Sequence, residues 1–411
     1  ASLCLLALPA CKEKWKLMPT PIVHQLIGSE VYSNLPAELR SQDMRVFYAT
    51  NRPASGEAEA RKYTNGITDK LRLGVATVRL GAPGLRWRDL EKLSTRSKRK
   101  EEVPLTLEAT SEIDALPETS GGRFASEVNS ALAKCRRPAI TIYVHGAKST
   151  FLRSTVQGAQ FHHFMTRDTA LVAYSWPSTG KFITYNKDVE YAAQSAANLA
   201  DLIEFLSANT NASSIHVLAY SAGGQVVAPA LALLRERNPK ASDETLRNKL
   251  RLGSIYFAAA DVSLHSFVSD YLPAFAPFVA NITVTFHEKD SVLKIAQRSH
   301  SGDARLGRPD REALTASDVA RLEELALEHK FDAIDMQFSP VERPENFKAH
   351  GHWYLNSWVS SDAILQFLFN EHPGARGLEK KPGTEAWYFP PDYPQRIEAL
   401  VEERRQAEAN R

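Results

Sequence analysis

The sequence predicts an α/β protein built on a mostly parallel sheet that helices cover on both faces, with extra strands on its N-terminal side. Three observations support this prediction. Beyond Ala139, short apolar runs alternate with longer segments whose apolar residues recur at helical spacing. Parallel neighbours need crossover connections, and this alternation supplies them. The length of 411 residues and a composition that is 43% hydrophobic and 24% charged suit a globular chain with a large core.

The N-terminal residues indicate export. Residues 1–11 form an apolar run that ends at Cys11, and the chain becomes charged at Lys12. Because the last four residues of this run are similar to a bacterial lipobox, we expect a truncated signal peptide and a lipid on Cys11, with a plain secretory signal as the alternative. Residues 12–39 contain prolines and are weakly patterned, so we expect a tether leading away from the membrane. The expected location is secreted or periplasmic.

Residues 40–135 are predicted to be a strand extension that packs on the core. Met44–Thr50 and Leu71–Leu80 are rich in β-branched and aromatic residues and are separated by a polar loop. They predict neighbouring strands that extend an edge of the sheet. A further strand is predicted at Val103–Leu107, and a helix at Ala125–Ala133.

Residues 136–372 are predicted to form the α/β core, and residues 373–411 a C-terminal tail with a helix. Each predicted strand is an apolar run, and each predicted helix shows helical periodicity. The predicted strands are Ala139–Val144, Ala170–Tyr174, Ile215–Ala219, Ser254–Ala258, Ile282–Phe286 and Ala333–Phe338. The predicted helices are Ser154–Met165, Val189–Leu206, Val226–Glu236, Ser317–Glu328 and Ser361–Asn370.

The net charge limits the class of partner, and the cysteine content limits the disulfides that could form. Lys and Arg number 50 against 48 Asp and Glu, and the resulting net charge of +2 argues against nucleic acid as the main partner. The basic run at residues 96–100 is followed directly by Glu101 and Glu102, which predicts a solvated loop. Removal of residues 1–11 would leave Cys135 as the remaining unmodified thiol, so no internal disulfide is expected.

One predicted strand leads into a motif with chemical meaning. Ile215–Ala219 is followed by Tyr220-Ser221-Ala222-Gly223 and then by an Ala/Val/Leu-rich helical pattern. In a nucleophile elbow, a sharp strand-to-helix turn exposes a serine, and the positions two before and two after it must be small. Ala219 and Gly223 meet this need, so Ser221 is the candidate nucleophile. An ordinary strand-to-helix turn is the alternative.

The rest of a triad can be supplied in the order that hydrolase sheets use. A serine nucleophile needs a histidine base, and the base needs an acid that orients it; along the chain the order is serine, acid, histidine. Asp290, which follows the predicted strand Ile282–Phe286, is the candidate acid, with Asp261 as the alternative. His352 is the candidate base and His350 the alternative, because both follow the last predicted strand.

The oxyanion formed by attack on a carbonyl needs donors that are already in place. The backbone N–H of Ala222 is one candidate, because this residue starts the helix after the serine. The other is Ala147, in the loop after the strand Ala139–Val144, where the preceding glycine lets the backbone approach the site. The candidates for the substrate pocket are His145, Gly146, Trp176 and Tyr220; core packing is the alternative for Trp176.

No metal or organic cofactor is expected. The histidines His162 and His163 are adjacent on a predicted helix, so their side chains cannot face one ion together. A Ser-His-Asp triad draws nucleophile, base and acid from the protein's own side chains.

The motifs together resemble a bacterial α/β-hydrolase family once filed as a domain of unknown function. The resemblance covers Arg45–Leu368, and its most specific parts are His145-Gly146, Ser175-Trp176-Pro177 and the Ser221 elbow. Members also carry an N-terminal strand like Phe47–Thr50. The resemblance implies the α/β-hydrolase fold and esterase activity, and it implies no particular substrate.

Two motifs depart from the pattern of this family. Ala147-Lys148 stands where many relatives have Tyr-Asn, in the loop expected to provide the second oxyanion donor. Tyr220 and Ala222 flank the serine where His and Met are common. Neither change removes a catalytic atom.

The expected function is that of a serine esterase of the cell envelope that hydrolyses small to medium carboxylic esters through an acyl-enzyme. Its partners would be the ester substrate and, through the lipid on Cys11, a membrane. An acyltransferase or a thioesterase would use the same triad. A non-catalytic envelope lipoprotein with a retained hydrolase fold is the alternative from another class, since fold alone does not establish activity.

Overall fold

The computed structural model of the protein describes residues 15–178, 185–300, 302–328, 330–338 and 349–409. The predicted signal peptide and the predicted lipidation site at Cys11 lie outside these residues. Of the helices in the described residues, none is long and apolar enough to cross a bilayer.

The strands are short in the core and longer at the N-terminal edge. In chain order they are β1 (Trp15–Lys16), β2 (Asp43–Thr50), β3 (Ala54–Ser55), β4 (Lys62–Tyr63), β5 (Leu71–Leu80), β6 (Pro104–Leu116), β7 (Ala139–Val144), β8 (Ala170–Tyr174), β9 (Ser214–Tyr220), β10 (Leu252–Ala258), β11 (Asn281–Phe286), β12 (Phe331–Asp335), β13 (Glu379–Lys380) and β14 (Trp387–Tyr388).

Within the described residues, one twelve-stranded sheet has the order β1-β6-β5-β2-β8-β7-β9-β10-β11-β12-β14-β13, and β3 and β4 form a separate ribbon. Neighbours from β2 through β14 run parallel, whereas the pairs β1/β6, β6/β5, β5/β2 and β13/β14 are antiparallel. The predicted mostly parallel sheet with extra N-terminal strands is confirmed.

The helices lie on both faces of this sheet. They are α1 (Ile22–Ile27), α2 (Trp87–Thr95), α3 (Gly122–Leu132), α4 (Phe151–Phe164), α5 (Tyr185–Asn209), α6 (Gly224–Glu236), α7 (Asp243–Leu250), α8 (Leu264–Ser266), α9 (Leu272–Phe275), α10 (Ser291–Ser299), α11 (Ala316–Leu327), α12 (His352–Leu355), α13 (Ser357–Phe369) and α14 (Tyr393–Ala409). One buried apolar cluster joins the sheet to α3, α5, α6 and α7, and a second joins it to α1, α2, α4, α13 and α14. Both faces are therefore covered, as a parallel sheet requires.

The register of the central strands brings their carboxyl ends to one edge. Val144 of β7 pairs with Ala219 of β9, and Ala258 of β10 pairs with Tyr220. Ala258 also pairs with Thr285 of β11. The loops that follow these four strands therefore start side by side, which is where an open parallel sheet places its ligands.

One predicted segment needs correction. Residues 15–39 are not a free tether, because β1 pairs with β6 and Leu17, Met18 and Val23 are at most 5% exposed. The strands within 40–135 extend the edge of the core sheet, as predicted, through the pairing of β2 with β8. The tail 373–411 adds β13 and β14 to the opposite edge before its helix.

Several elements differ from the predicted ones. The strand predicted at Ala333–Phe338 is β12, which ends at Asp335 and is followed by a 3₁₀ turn at Met336–Phe338. The strand predicted at Val103–Leu107 is the first half of the longer β6. Short helices such as α2, α7 and α10 were not predicted, because their eight or nine residues are fewer than the window of about 11 residues over which helical periodicity is recognised.

Candidate active site

Ser221 occupies a strained turn between β9 and α6. Its φ of 52° lies in the left-handed region that non-glycine residues rarely adopt. The backbone N–H of Asp261 donates to the Ser221 carbonyl at 2.8 Å and helps to hold this conformation. A Cβ atom on Gly223 would lie 2.6 Å from the Val144 carbonyl oxygen, so this position has no room for a side chain. The turn thus has the geometry of a nucleophile elbow.

A hydrogen-bonded chain leads from Ser221 to an acid. His350 Nε2 lies 2.8 Å from Ser221 Oγ, and His350 Nδ1 lies 2.8 Å from Asp290 Oδ2. Because a carboxylate can only accept, Nδ1–H donates to Asp290, and Nε2 is left to accept the Ser221 hydroxyl proton. All three residues are at most 8% exposed. This is the arrangement of a nucleophile, a base and an orienting acid.

His352, the predicted base, does not reach Ser221. It lies in α12, and its Nε2 is 2.7 Å from Oγ1 of Thr285 on β11. The alternative, His350, belongs to the 3₁₀ turn that precedes α12 and occupies the place beside the serine. Residues two apart on a helical turn point about 200° away from each other, so one backbone path cannot present both histidines to Ser221.

Asp290 has two structural roles, because its two carboxylate oxygens have different partners. Oδ1 accepts the backbone N–H groups of Val292 at 2.9 Å and Leu293 at 3.0 Å, which makes Asp290 the N-cap of α10. Oδ2 is left for His350. Burial by itself would raise the pKa of Asp290, but the hydrogen bond and charge of His350 and the N–H of Leu293 outweigh it, so the pKa lies below its usual value. The carboxyl group is therefore ionised at neutral pH.

Asp261, the alternative acid, is bound elsewhere. Its Oδ1 accepts from Arg305 Nε at 2.7 Å, and both side chains are at most 4% exposed. Arg305 also contacts Asp303, within a loop whose backbone pairs with residues just after β10. Asp261 thus supports the elbow through its backbone N–H, while its carboxylate anchors this loop.

The loop after β7 lies against Ser221. A Cβ atom on Gly146 would be 2.8 Å from Ser221 Cβ and 3.3 Å from Ser221 Oγ, so only glycine fits this approach. Ala147 follows in this loop, and Ala222 follows Ser221 in a 3₁₀ turn that leads into α6. Ala222 adjoins Ser221 in the chain, and Ala147 adjoins the glycine that lies against Ser221, so their N–H groups stay the predicted oxyanion donors.

Residues 121–346, more than half of the chain, match the family described as alpha/beta hydrolase of unknown function (DUF900). The chain belongs to this family. The matched segment of this α/β hydrolase includes Ser221 and Asp290 and ends just before His350.

A protein of Nostoc sp. (strain PCC 7120), itself uncharacterised, is also similar to this α/β hydrolase. The two are 32% identical over 127 residues, which is 26% of this chain and 33% of the relative. The chain thus spans about a third of the length of this relative.

Two predicted pocket residues of this α/β hydrolase are fully buried. The ring of His145 stacks on Trp176 with centroids 5.1 Å apart and planes 5° apart. Trp176 Nε1 donates to the His145 carbonyl at 2.7 Å, and His145 Nε2 lies 3.0 Å from the Trp176 carbonyl. Burial and the charge of Arg52 lower the pKa of His145 to about 3, so the ring is neutral. The two stacked rings therefore lie in the interior, where they support the loop after β7. The prediction that they line the pocket is wrong.

Tyr220 packs against His350. Its ring centroid lies 5.4 Å from that of His350 and 5.7 Å from that of Tyr354, and its side chain is 7% exposed. The ring therefore limits the rotation of the His350 imidazole. Tyr354, Thr285 and Arg305 were not predicted, because each reaches the site only through tertiary contacts that leave no mark on the local sequence.

The adjacent histidines have separate surroundings, as expected. His163 Nε2 lies 2.7 Å from Ser94 Oγ and 3.0 Å from the Tyr32 hydroxyl, whereas His162 points to a different side of α4. In the part of the chain that the structure describes, no group of three or more His, Cys, Asp or Glu side chains could hold a metal ion.

Proposed function

We propose that this protein is a serine hydrolase that cleaves small to medium carboxylic esters through an acyl-enzyme. The observation that carries the proposal is the continuous chain of hydrogen bonds from Ser221 through His350 to Asp290. A serine hydroxyl becomes an effective nucleophile when an oriented, neutral imidazole can take its proton.

The geometry suggests how each step would proceed. His350 Nε2 takes the hydroxyl proton as Ser221 Oγ attacks the ester carbonyl, and Asp290 stabilises the imidazolium that forms. The tetrahedral oxyanion would be met by the N–H groups of Ala222 and Ala147. His350 then gives its proton to the leaving alcohol, and a water molecule activated by the same imidazole hydrolyses the acyl-enzyme.

Two features of the site favour catalysis over a retained but inactive fold. The Ser221 backbone is held at a strained φ, and such strain persists only where the surroundings impose it. The imidazole is oriented at both ring nitrogens, with a buried carboxylate on one side and the serine on the other. The export signal and the lipid on Cys11 remain part of the proposal and rest on the sequence.

The test compares the wild type with three variants. Fluorophosphonate labelling and hydrolysis of p-nitrophenyl acetate and butyrate are expected for the wild type. Ser221→Ala should abolish labelling, and His350→Ala should lower kcat by about 10³-fold or more, because the proton acceptor is lost. His352→Gln is the matched control, since glutamine can keep a hydrogen bond to Thr285, and it should stay within about tenfold of wild type. A folded wild type that neither labels nor turns over would disprove the proposal.

A further inference from the structure

Arg52 is a buried cation beside the candidate site, just after β2. Its side chain is fully buried, and among the residues that the structure describes its hydrogen-bond acceptors are carbonyl, hydroxyl and amide oxygens and not carboxylates. Burial lowers the pKa of Arg52 to about 9, and the charge of Asp188 partly offsets this effect, so the guanidinium stays charged at neutral pH. An unpaired buried charge is costly unless hydrogen bonds compensate it. Arg52 therefore has to be satisfied by donating to neutral groups.

All five N–H groups of Arg52 have acceptors. Nε donates to Ser175, Nη1 donates to two residues of the loop after β4, and Nη2 donates to two carbonyl oxygens at 2.7 Å each. The acceptors are the Ser175 carbonyl and Oγ, the Thr64 carbonyl, Asn65 Oδ1, the Ser149 carbonyl and the Trp176 carbonyl. A planar fork of five donors can connect three loops at once, which the three donors of a lysine ammonium cannot do in the same geometry.

Two of these acceptors fix the loop that approaches the nucleophile, residues 145–149. Ser149, at its far end, is bound directly by Nη2. His145, at its near end, is bound to Trp176 by a ring stack and two hydrogen bonds, and the Trp176 carbonyl is itself bound by Nη2. Between these two ends, Gly146 lies against Ser221.

We infer that Arg52 is a positioning residue that holds the loop 145–149 in the conformation in which a backbone N–H of this loop meets the oxyanion. The inference rests on the proposed hydrolase function for its catalytic consequence. A donor to an oxyanion is effective only when it needs no reorganisation as charge develops, and a loop fixed at both ends meets that condition. Arg52 lies outside the segment matched by the family, so β2 would be part of the catalytic unit of this chain.

The experiment compares Arg52→Lys with Arg376→Lys in the full chain. Arg376 is an equally buried arginine that pairs with Asp362 at 2.8 Å and contacts no residue of the site, so its substitution controls for loss of stability. For Arg52→Lys we expect kcat to fall by about 10²–10³-fold with KM changed less than about threefold. The inhibition constant of a boronic acid, which forms a tetrahedral adduct on serine, should rise in proportion to the loss in kcat. Arg376→Lys should lose thermal stability and keep kcat.

Hydrogen exchange separates this inference from the proposed function. The amides of residues 145–149 should exchange faster in Arg52→Lys than in wild type and in Arg376→Lys, whether or not the protein hydrolyses esters. Unchanged exchange of this loop would overturn the inference, and so would a folded Arg52→Lys protein with wild-type kcat. Faster loop exchange in a protein whose wild type lacks activity would refute the hydrolase proposal and uphold the positioning role of Arg52.

Discussion

The two roles of Asp290 can be separated by substitution. Its Oδ1 caps α10 through two backbone N–H groups, while its Oδ2 orients His350. Asparagine keeps a side-chain oxygen for the cap but presents an NH₂ group to His350 Nδ1. His350 Nδ1 would then have to accept a hydrogen bond, so the ring proton would move to Nε2. A protonated Nε2 cannot take the hydroxyl proton of Ser221. Alanine removes the cap and the orienting group together.

The expected magnitudes differ for the two variants. Asp290→Asn should lower kcat by about 10⁴-fold, the cost typical of a triad held in the wrong tautomer. Its free energy of unfolding should change little, because Asn and Asp are comparable N-caps. Asp290→Ala should lose a similar factor in kcat and, in addition, about 0.5–2 kcal/mol of stability from the uncapped helix.

The measurements are steady-state hydrolysis of p-nitrophenyl butyrate and thermal unfolding followed by circular dichroism. A large loss of activity in both variants, with a lower Tm in Asp290→Ala than in Asp290→Asn, is the predicted pattern. Activity of Asp290→Asn within tenfold of wild type would refute the assignment of the acid. Equal destabilisation by Asn and Ala would refute the account of the cap.

Two further predictions follow from the geometry around the site and from the buried histidines. Gly146→Ala should reduce kcat/KM by about 10²-fold, because the added Cβ would lie 2.8 Å from Ser221 Cβ. Gly122→Ala is the control, since its added Cβ would lie 3.4 Å from its nearest neighbour, and it should be as active as wild type. Equal activity of the two variants would contradict the close approach of Gly146 to Ser221. Burial lowers the pKa of His24 and His216 to about 4, so between about pH 6.5 and 4 the unfolded chain binds protons that the folded chain does not. As the pH is lowered through this range, the free energy of unfolding should decrease by about 1.4 kcal/mol per pH unit for each such histidine. Urea unfolding against pH should show a shallower acid slope for His216→Gln, and an identical slope would contradict this linkage.

The N-terminal region shows why part of the fold was not predictable. Residues 15–39 contain one short helix and several prolines, so they lack the periodicity that identifies a packed element. Their burial depends on distant partners: the Met18 N–H donates to Gln160, and His24 Nε2 donates to the Phe164 carbonyl, both on α4. Such contacts join residues about 140 positions apart and leave no local pattern.

The sequence by itself predicted the class of the fold, the candidate nucleophile and the candidate acid. Apolar runs alternate with helical stripes, small residues flank Ser221, and Asp290 follows a strand at the required place, and all three are local patterns. Only the tertiary structure showed which of His350 and His352 contacts Ser221. The two histidines lie within one helical turn, and the directions of their side chains depend on how that turn packs against β11. It also showed that Arg52 is buried and donates hydrogen bonds to three loops, whereas a charged residue after a strand is expected to face water. Local chemistry selects which residue types can act, whereas the packing of distant segments selects which of them meet.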